Sequence, residues 1–224
     1  MQKADFKIVV LISGNGSNLQ ALIDRSQRPD CNYRIAAVVA NRPDAYGLQR
    51  AARAGIPQHC LQHTDFPDRA SYDRSLQQQI DHYRPDLVVL AGFMRILTPE
   101  FAHHYQGRLL NIHPSLLPAY RGLHTHQRAL EAGERTHGAS VHFVTGELDA
   151  GPVILQSRVP ILAGDTPEIL AERVHVQEHI IYPLVVEWYA MGRLRMHNNR
   201  VLFDQTILDS PIVYQEMTHD PSTA

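Results

Sequence analysis

Short apolar runs alternate with longer amphipathic segments through the first half of the chain, and this alternation restricts the fold more than any other feature. Runs at 7–12, 33–40, 56–61, 86–91 and 108–113 have strand length, and segments at 18–25, 44–54 and 67–83 between them have helical periodicity. Strands separated by helices pair in parallel, because each helix is the crossover that returns the chain to the same end of the sheet. Residues 86–91 are apolar almost throughout, as expected of a central strand covered on both faces. Gly55 can end the second helix, and Thr98 opens a short one with Pro99 at its first position and Glu100 behind it.

The second half is less regular. A helix at 124–132 ends at Gly133, and strands follow at 139–144 and 152–161, the latter antiparallel to its neighbour. A long helical pattern at 166–191, capped by Thr166 with Pro167 next, should be bent or broken at Pro183 and end at Gly192. Residues 193–204 read as a hairpin around Asn198 and Asn199, and the tail from about Asp209 as loosely ordered. The expected fold is α/β and Rossmann-like: a mostly parallel central sheet flanked by helices, with an antiparallel C-terminal part.

At 224 residues the chain suits one large domain, 1–224, better than two small ones. Its formal net charge of −2 supplies neither a basic footprint for nucleic acid nor a polybasic membrane anchor, which favours small, soluble partners. The apolar stretch 8–12 is too short for a signal core or a membrane span. Cys31 and Cys60 lack metal-knuckle or redox spacing. We read them as reduced thiols of a cytoplasmic protein, although the sequence also permits a disulfide between them.

Residues 13–18 read Ser-Gly-Asn-Gly-Ser-Asn between the first strand and the first helix. Two glycines let a ligand approach the backbone, and the helix start behind them offers free N–H groups and a positive dipole end, which suits a phosphate. A tight turn with Ser17 or Asn18 as cap is the plainer alternative. A dinucleotide is disfavoured, because no third glycine completes the fingerprint and the second strand ends in Ala40 and Asn41 without a ribose-binding acid.

Asn-Ile-His-Pro at 111–114 closes the fifth strand. Residues two apart share a strand face, so Asn111 and His113 point the same way, and Pro114 stops the strand at the edge where open α/β sheets bind ligands. An amide donor beside an imidazole is what acyl or formyl transfer needs, one to hold a developing oxyanion and one to move a proton. Asp149, in a turn-rich loop after the strand at 139–144, could bring a carboxylate to the same edge and orient the imidazole. A polar strand end and a solvated turn aspartate are the plainer alternatives. Fourteen histidines form no metal-ligand pattern, so no metal is expected; His137 and His142 are assigned to packing. Ser115 lacks a nucleophile elbow.

The ordered set of Val-Val-Leu-Ile-Ser-Gly-Asn-Gly-Ser-Asn-Leu-Gln at 9–20, Leu-Ala-Gly-Phe-Met-Arg-Ile-Leu at 90–97, Asn-Ile-His-Pro-Ser-Leu-Leu-Pro at 111–118, Gly-Leu-His-Thr-His at 122–126, Asp-Ala-Gly-Pro-Val-Ile at 149–154 and Gln-Glu-His at 177–179 resembles the phosphoribosylglycinamide formyltransferase family over nearly the whole chain. The resemblance implies transfer of a formyl group from the co-substrate 10-formyltetrahydrofolate to the amine of glycinamide ribonucleotide, in purine (IMP) biosynthesis, by a monomer or homodimer without metal. It places Asn111, His113 and Asp149 on the catalytic trio, Gly16, Ser17 and Asn18 on the phosphate, and Glu178 on the substrate amine. Arg69, Met94, Arg95, Ile96, Leu97, Asn111 and Val144 fall on the folate side. It also implies a cis Leu117–Pro118 bond.

Two departures stand on the nucleotide side: Ala119, Tyr120 and Arg121 where bacterial relatives carry Lys-Tyr-Pro, and His175 where glutamine is common. The alternative within the family is a formyltetrahydrofolate hydrolase. That enzyme adds a regulatory domain before the core, as methionyl-tRNA formyltransferase adds a nucleic-acid-binding domain after it, and the length of this chain favours neither. Outside the family, a dinucleotide oxidoreductase and a non-catalytic folate-binding module remain as other classes.

Overall fold

The structure is a computed structural model and describes residues 6–215. Its elements run β1 (Phe6–Ile12), α1 (Ser17–Ser26), β2 (Tyr33–Ala40), α2 (Gly47–Arg53), β3 (Gln58–Cys60), α3 (Arg69–Asp81), β4 (Leu87–Leu90), α4 (Pro99–His104), β5 (Leu109–His113), α5 (Thr125–Glu131), β6 (Thr136–Phe143), β7 (Val153–Pro160), α6 (Pro167–Ala190), β8 (Leu194–His197), β9 (Arg200–Phe203), β10 (Thr206–Ile207) and β11 (Ile212–Tyr214). The main sheet has the order β11-β7-β6-β5-β4-β1-β2-β3. All its neighbours are parallel except β6, which runs antiparallel to both β5 and β7. The mostly parallel sheet with an antiparallel C-terminal part is therefore the observed architecture.

The chain winds outward from β1 to β3 and then returns to add β4 on the other side of β1. Such a reversal opens a crevice at the carboxyl ends of the two strands. Here the ends are tied together: Ser13 N–H donates to the Gly92 carbonyl at 3.1 Å, and Met94 N–H donates to Ser13 Oγ at 2.7 Å.

Strand alternation splits the sheet's side chains between two cores. Ile8, Val10, Ile12, Leu110, Ile112 and Val141 pack with α1 and α6, while Val9, Leu11, Val88, Leu90 and Leu109 pack with Tyr72, Leu76 and Ile80 of α3 and Phe101 of α4. Every side chain of β4 is buried, as its composition requires.

Two expectations are revised and a third is extended. Of the bend or break expected at Pro183, the break does not occur: one helix runs from Pro167 to Ala190. Ile181, Tyr182, Val185 and Val186 beside it are fully buried, and at roughly 1.5–3 kcal/mol each they outweigh the ~3 kcal/mol cost of an internal proline. The tail is not loose throughout, since Ile212–Tyr214 adds β11 in parallel to β7; residues from 216 lie outside those described. The hairpin at Asn198 and Asn199, both with positive φ, is as expected, but Asp204 and Gln205 make a second such turn and add β10.

Candidate active site

Asn111 and His113 occupy alternate positions on β5, on the face that Leu109 gives to the α3 core, and their partners across β6 are His142 and Ser140. His113 is 6% exposed. Its Nε2 donates to the Tyr120 carbonyl at 3.0 Å, and its Nδ1 lies 3.5 Å from Asp149 Oδ2. That second distance is an ion-pair spacing, longer than a good N–H···O bond. Asp149 Oδ2 also accepts from Gly122 N–H at 3.0 Å, while Oδ1 lies 3.8 Å from His142 Nε2. Asn111 Nδ2 is 3.1 Å from the same His142 nitrogen. Asn111, His113 and Asp149 thus converge, with His142 between the amide and the carboxylate.

The route by which Asp149 arrives differs from the simplest reading of its loop. Because β6 is antiparallel to β5, it ends beside the start of β5, where Val144 N–H donates to the Leu109 carbonyl at 2.9 Å. The segment 144–152 must fold back along β5 to reach His113, four residues or about 13 Å further on. Asp149 turns there in the left-handed region, φ 48°, which aspartate tolerates better than most residues.

The segment after His113 is held by a buried polar network. Ser140 Oγ accepts from Leu117 N–H at 3.0 Å and donates to the Ser115 carbonyl at 2.7 Å, and Gln156 Nε2 donates to the Leu117 carbonyl at 2.8 Å. The Leu117–Pro118 peptide is cis, as the resemblance implied.

Gly16 is the residue before α1, at φ 74°, and no side chain caps the helix, so neither Ser17 nor Asn18 fills that role. The first-turn N–H groups stay open to a ligand. A Cβ on Gly16 would sit 2.8 Å from Gly47 Cα, so the turn packs backbone to backbone against α2. Arg50 braces it from that helix, donating to the Asn15 carbonyl and Asn15 Oδ1, both at 2.9 Å, and to Gln20 Oε1 at 3.1 Å. The Asn18 side chain turns inward and donates to the buried Glu178 at 2.8 Å. Burial pushes the Glu178 carboxyl up, against the Asn18 hydrogen bond and the charge of His175, whose Nε2 is 3.9 Å away.

On the other side of the crevice, Met94 and Ile96 are 72% and 52% exposed, whereas Leu97 and Val144 pack together onto the α3 core. The Arg95 guanidinium lies 4.5 Å over the Tyr72 ring. Buried Asp73 accepts from Thr98 N–H at 2.6 Å; burial raises its carboxyl, while Arg69 and Arg95 pull it down from nearby. The segment that follows Met94 is therefore anchored on the first half of α3, through Arg95 over Tyr72 and Thr98 on Asp73, and Arg69 starts that helix one turn before Asp73. His126 and His137 share a 3.1 Å hydrogen bond; His126 is pushed down to about 4 by burial first, then by His137, His175 and His113. Among the described residues, no group of three or more His, Cys, Asp or Glu side chains is arranged to hold a metal ion. Both cysteines are free thiols.

Three contributors were missed by sequence reasoning. Gly47 and Arg50 touch the glycine turn from 30 or more residues away, and no local pattern marks them. His142 had a signal: Ser140 and His142 are the polar positions of a strand whose alternate residues Ala139, Val141 and Phe143 are apolar.

Residues 6–186 match the family model described as Formyl transferase. The chain is 60% identical to phosphoribosylglycinamide formyltransferase of Escherichia coli over 197 residues, 88% of this chain and 93% of that protein. It is 48% identical to the protein of the same name from Haemophilus influenzae, over 88% of this chain and 93% of the relative. The solved structure of phosphoribosylglycinamide formyltransferase from Coxiella burnetii superposes with a TM-score of 0.90 at 56% identity, covering 94% of this chain and 99% of that one.

Proposed function

The chain belongs to the formyl transferase family, and on that premise we propose that it moves the formyl group of 10-formyltetrahydrofolate to the amine of glycinamide ribonucleotide. The products are N-formylglycinamide ribonucleotide and tetrahydrofolate, a step of purine synthesis. One observation supports this reading above the others: an amide donor, an imidazole and a carboxylate meet at a strand end, with His113 Nδ1 3.5 Å from Asp149 Oδ2, and His142 Nε2 3.1 Å from the Asn111 amide nitrogen and 3.8 Å from Asp149 Oδ1.

The neutral amine attacks the formyl carbon, forming a C–N bond and a tetrahedral oxyanion beside Asn111 and His113. Collapse breaks the bond from that carbon to the folate nitrogen, and the proton lost by the amine ends on the leaving nitrogen, relayed by Asp149 or a water it holds. Asp149 keeps His113 oriented throughout. Two substrates in one crevice supply the proximity. The open N–H groups after Gly16, at Ser17 and Asn18, take the phosphate, with Arg50 holding the turn in shape. Glu178 faces the amine, and Arg69, Met94, Arg95, Ile96, Leu97 and Val144 take the folate, the exposed apolar pair Met94 and Ile96 offering a surface for its ring system. The free thiols Cys31 and Cys60 suit a reducing, cytoplasmic compartment.

An assay with and without the amine substrate tests the reading. Tetrahydrofolate should appear only when glycinamide ribonucleotide is present, with formylated product in equal amount. Formate release without the amine would instead identify a hydrolase.

A further inference from the structure

His142 stands directly across from Asn111 in the β5–β6 pairing and is 1% exposed. Its Nδ1 lies 2.8 Å from the Phe143 carbonyl oxygen. A carbonyl oxygen can only accept, so Nδ1 bears the proton of the neutral ring. Burial disfavours a second proton, against the pull of the Phe143 carbonyl and the Asp149 carboxylate and with the repulsion of His113 and Arg121. Nε2 is then a lone pair. The polar groups facing it are Asn111 Nδ2 at 3.1 Å and Asp149 Oδ1 at 3.8 Å, and of these two the amide is the one that can donate.

An asparagine amide has two ends that sterically look alike. Turned end for end, Asn111 would set its oxygen against the His142 lone pair, acceptor on acceptor. We infer that His142 is the positioning residue that fixes the polarity of the Asn111 amide, holding its nitrogen with one N–H and leaving the second N–H for the oxyanion. The inference rests on the reading of Asn111 as an oxyanion donor. The chain of constraint extends one step further back: the Phe143 N–H donates to the Pro152 carbonyl at 3.0 Å, and the Gly151 backbone packs so closely on the Phe143 carbonyl that a Cβ there would overlap it. The carbonyl that selects the tautomer is itself held in place.

The orientation can be tested without substrate. Nitrogen-15 spectra of the imidazole-labelled protein should show His142 neutral, with its proton on Nδ1, from about pH 6 to about pH 8. A proton on Nε2 anywhere in that range would overturn the inference, and the result holds whichever reaction the site performs. Kinetics test the consequence. His142→Leu, which has no acceptor, should lower kcat about 10–100-fold with the KM of either substrate moved less than about 3-fold, and His142→Gln, whose amide oxygen can accept, should recover most of the loss. In an Asn111→Ala background, His142→Leu should change kcat less than about 3-fold, because its effect passes through the missing amide. An undiminished loss in that background would show that His142 does not act through Asn111.

Discussion

Asn18 donates its side-chain N–H to the Glu178 carboxyl at 2.8 Å, joining the first turn of α1 to the middle of α6 across 160 residues of chain. Both side chains are buried, and among the described residues Asn18 Oδ1 has no hydrogen-bond partner. A protonated Glu178 could donate where a carboxylate cannot, which agrees with the upward push that burial gives this carboxyl.

The pH dependence of stability follows with a definite sign. Below the unfolded-state pKa of Glu178 both states hold the proton; above it the unfolded chain ionises first, so stability falls as pH rises toward the higher folded value. Glu178→Gln removes this loss. Its urea midpoint relative to the parent should therefore rise between about pH 4 and about pH 7, and a difference that stays constant over that range would contradict a raised carboxyl.

Removing the amide of Asn111 should act on chemistry and little on folding. Asn111→Ala is expected to lower kcat by about 10²–10³, the usual cost of one oxyanion donor, with the melting temperature nearly unchanged. Steady-state kinetics with both substrates saturating would decide it, and a near-normal kcat would remove Asn111 from the role.

Arg50 should matter for binding. It holds the glycine turn through the main-chain and side-chain carbonyl oxygens of Asn15, so Arg50→Ala is expected to raise the KM for the phosphate-bearing substrate about 10-fold, with kcat and the folate KM little altered. Arg50→Lys should rescue little, because an ammonium cannot reproduce the two-pronged grip. An unchanged KM in Arg50→Ala would detach the turn from the phosphate.

Gly16→Ala meets two obstacles together, the left-handed φ of 74° and the Gly47 backbone 2.8 Å from the new Cβ. A loss of about 1–3 kcal/mol is expected from urea denaturation, together with a higher KM for the nucleotide. Gly55→Ala makes a useful control: its φ is also positive, at 68°, but nothing lies within 4 Å of the added atom, so only the backbone strain remains. Equal losses in the two variants would show that the contact with Gly47 costs nothing.

What the sequence determined by itself is whatever local spacing encodes. Alternation of apolar runs and amphipathic segments marked the strands and helices, the paired asparagines at 198 and 199 marked a hairpin, and residues 111 and 113 had to share a face because strands repeat every two residues. The glycines at 14 and 16 announced a close backbone approach. The tertiary structure decided the rest. Which way β6 runs, and so how far the 144–152 segment must travel to set Asp149 beside His113, depends on pairings between residues some thirty positions apart, and local periodicity is blind to them. The same pairing turned His142 from a packed histidine into the partner of Asn111, and helix packing brought Arg50 to the glycine turn and Glu178 to Asn18. Burial of the apolar faces selected those long-range contacts, because the free energy that orders strands and helices comes from the surfaces they cover in one another and not from any element alone.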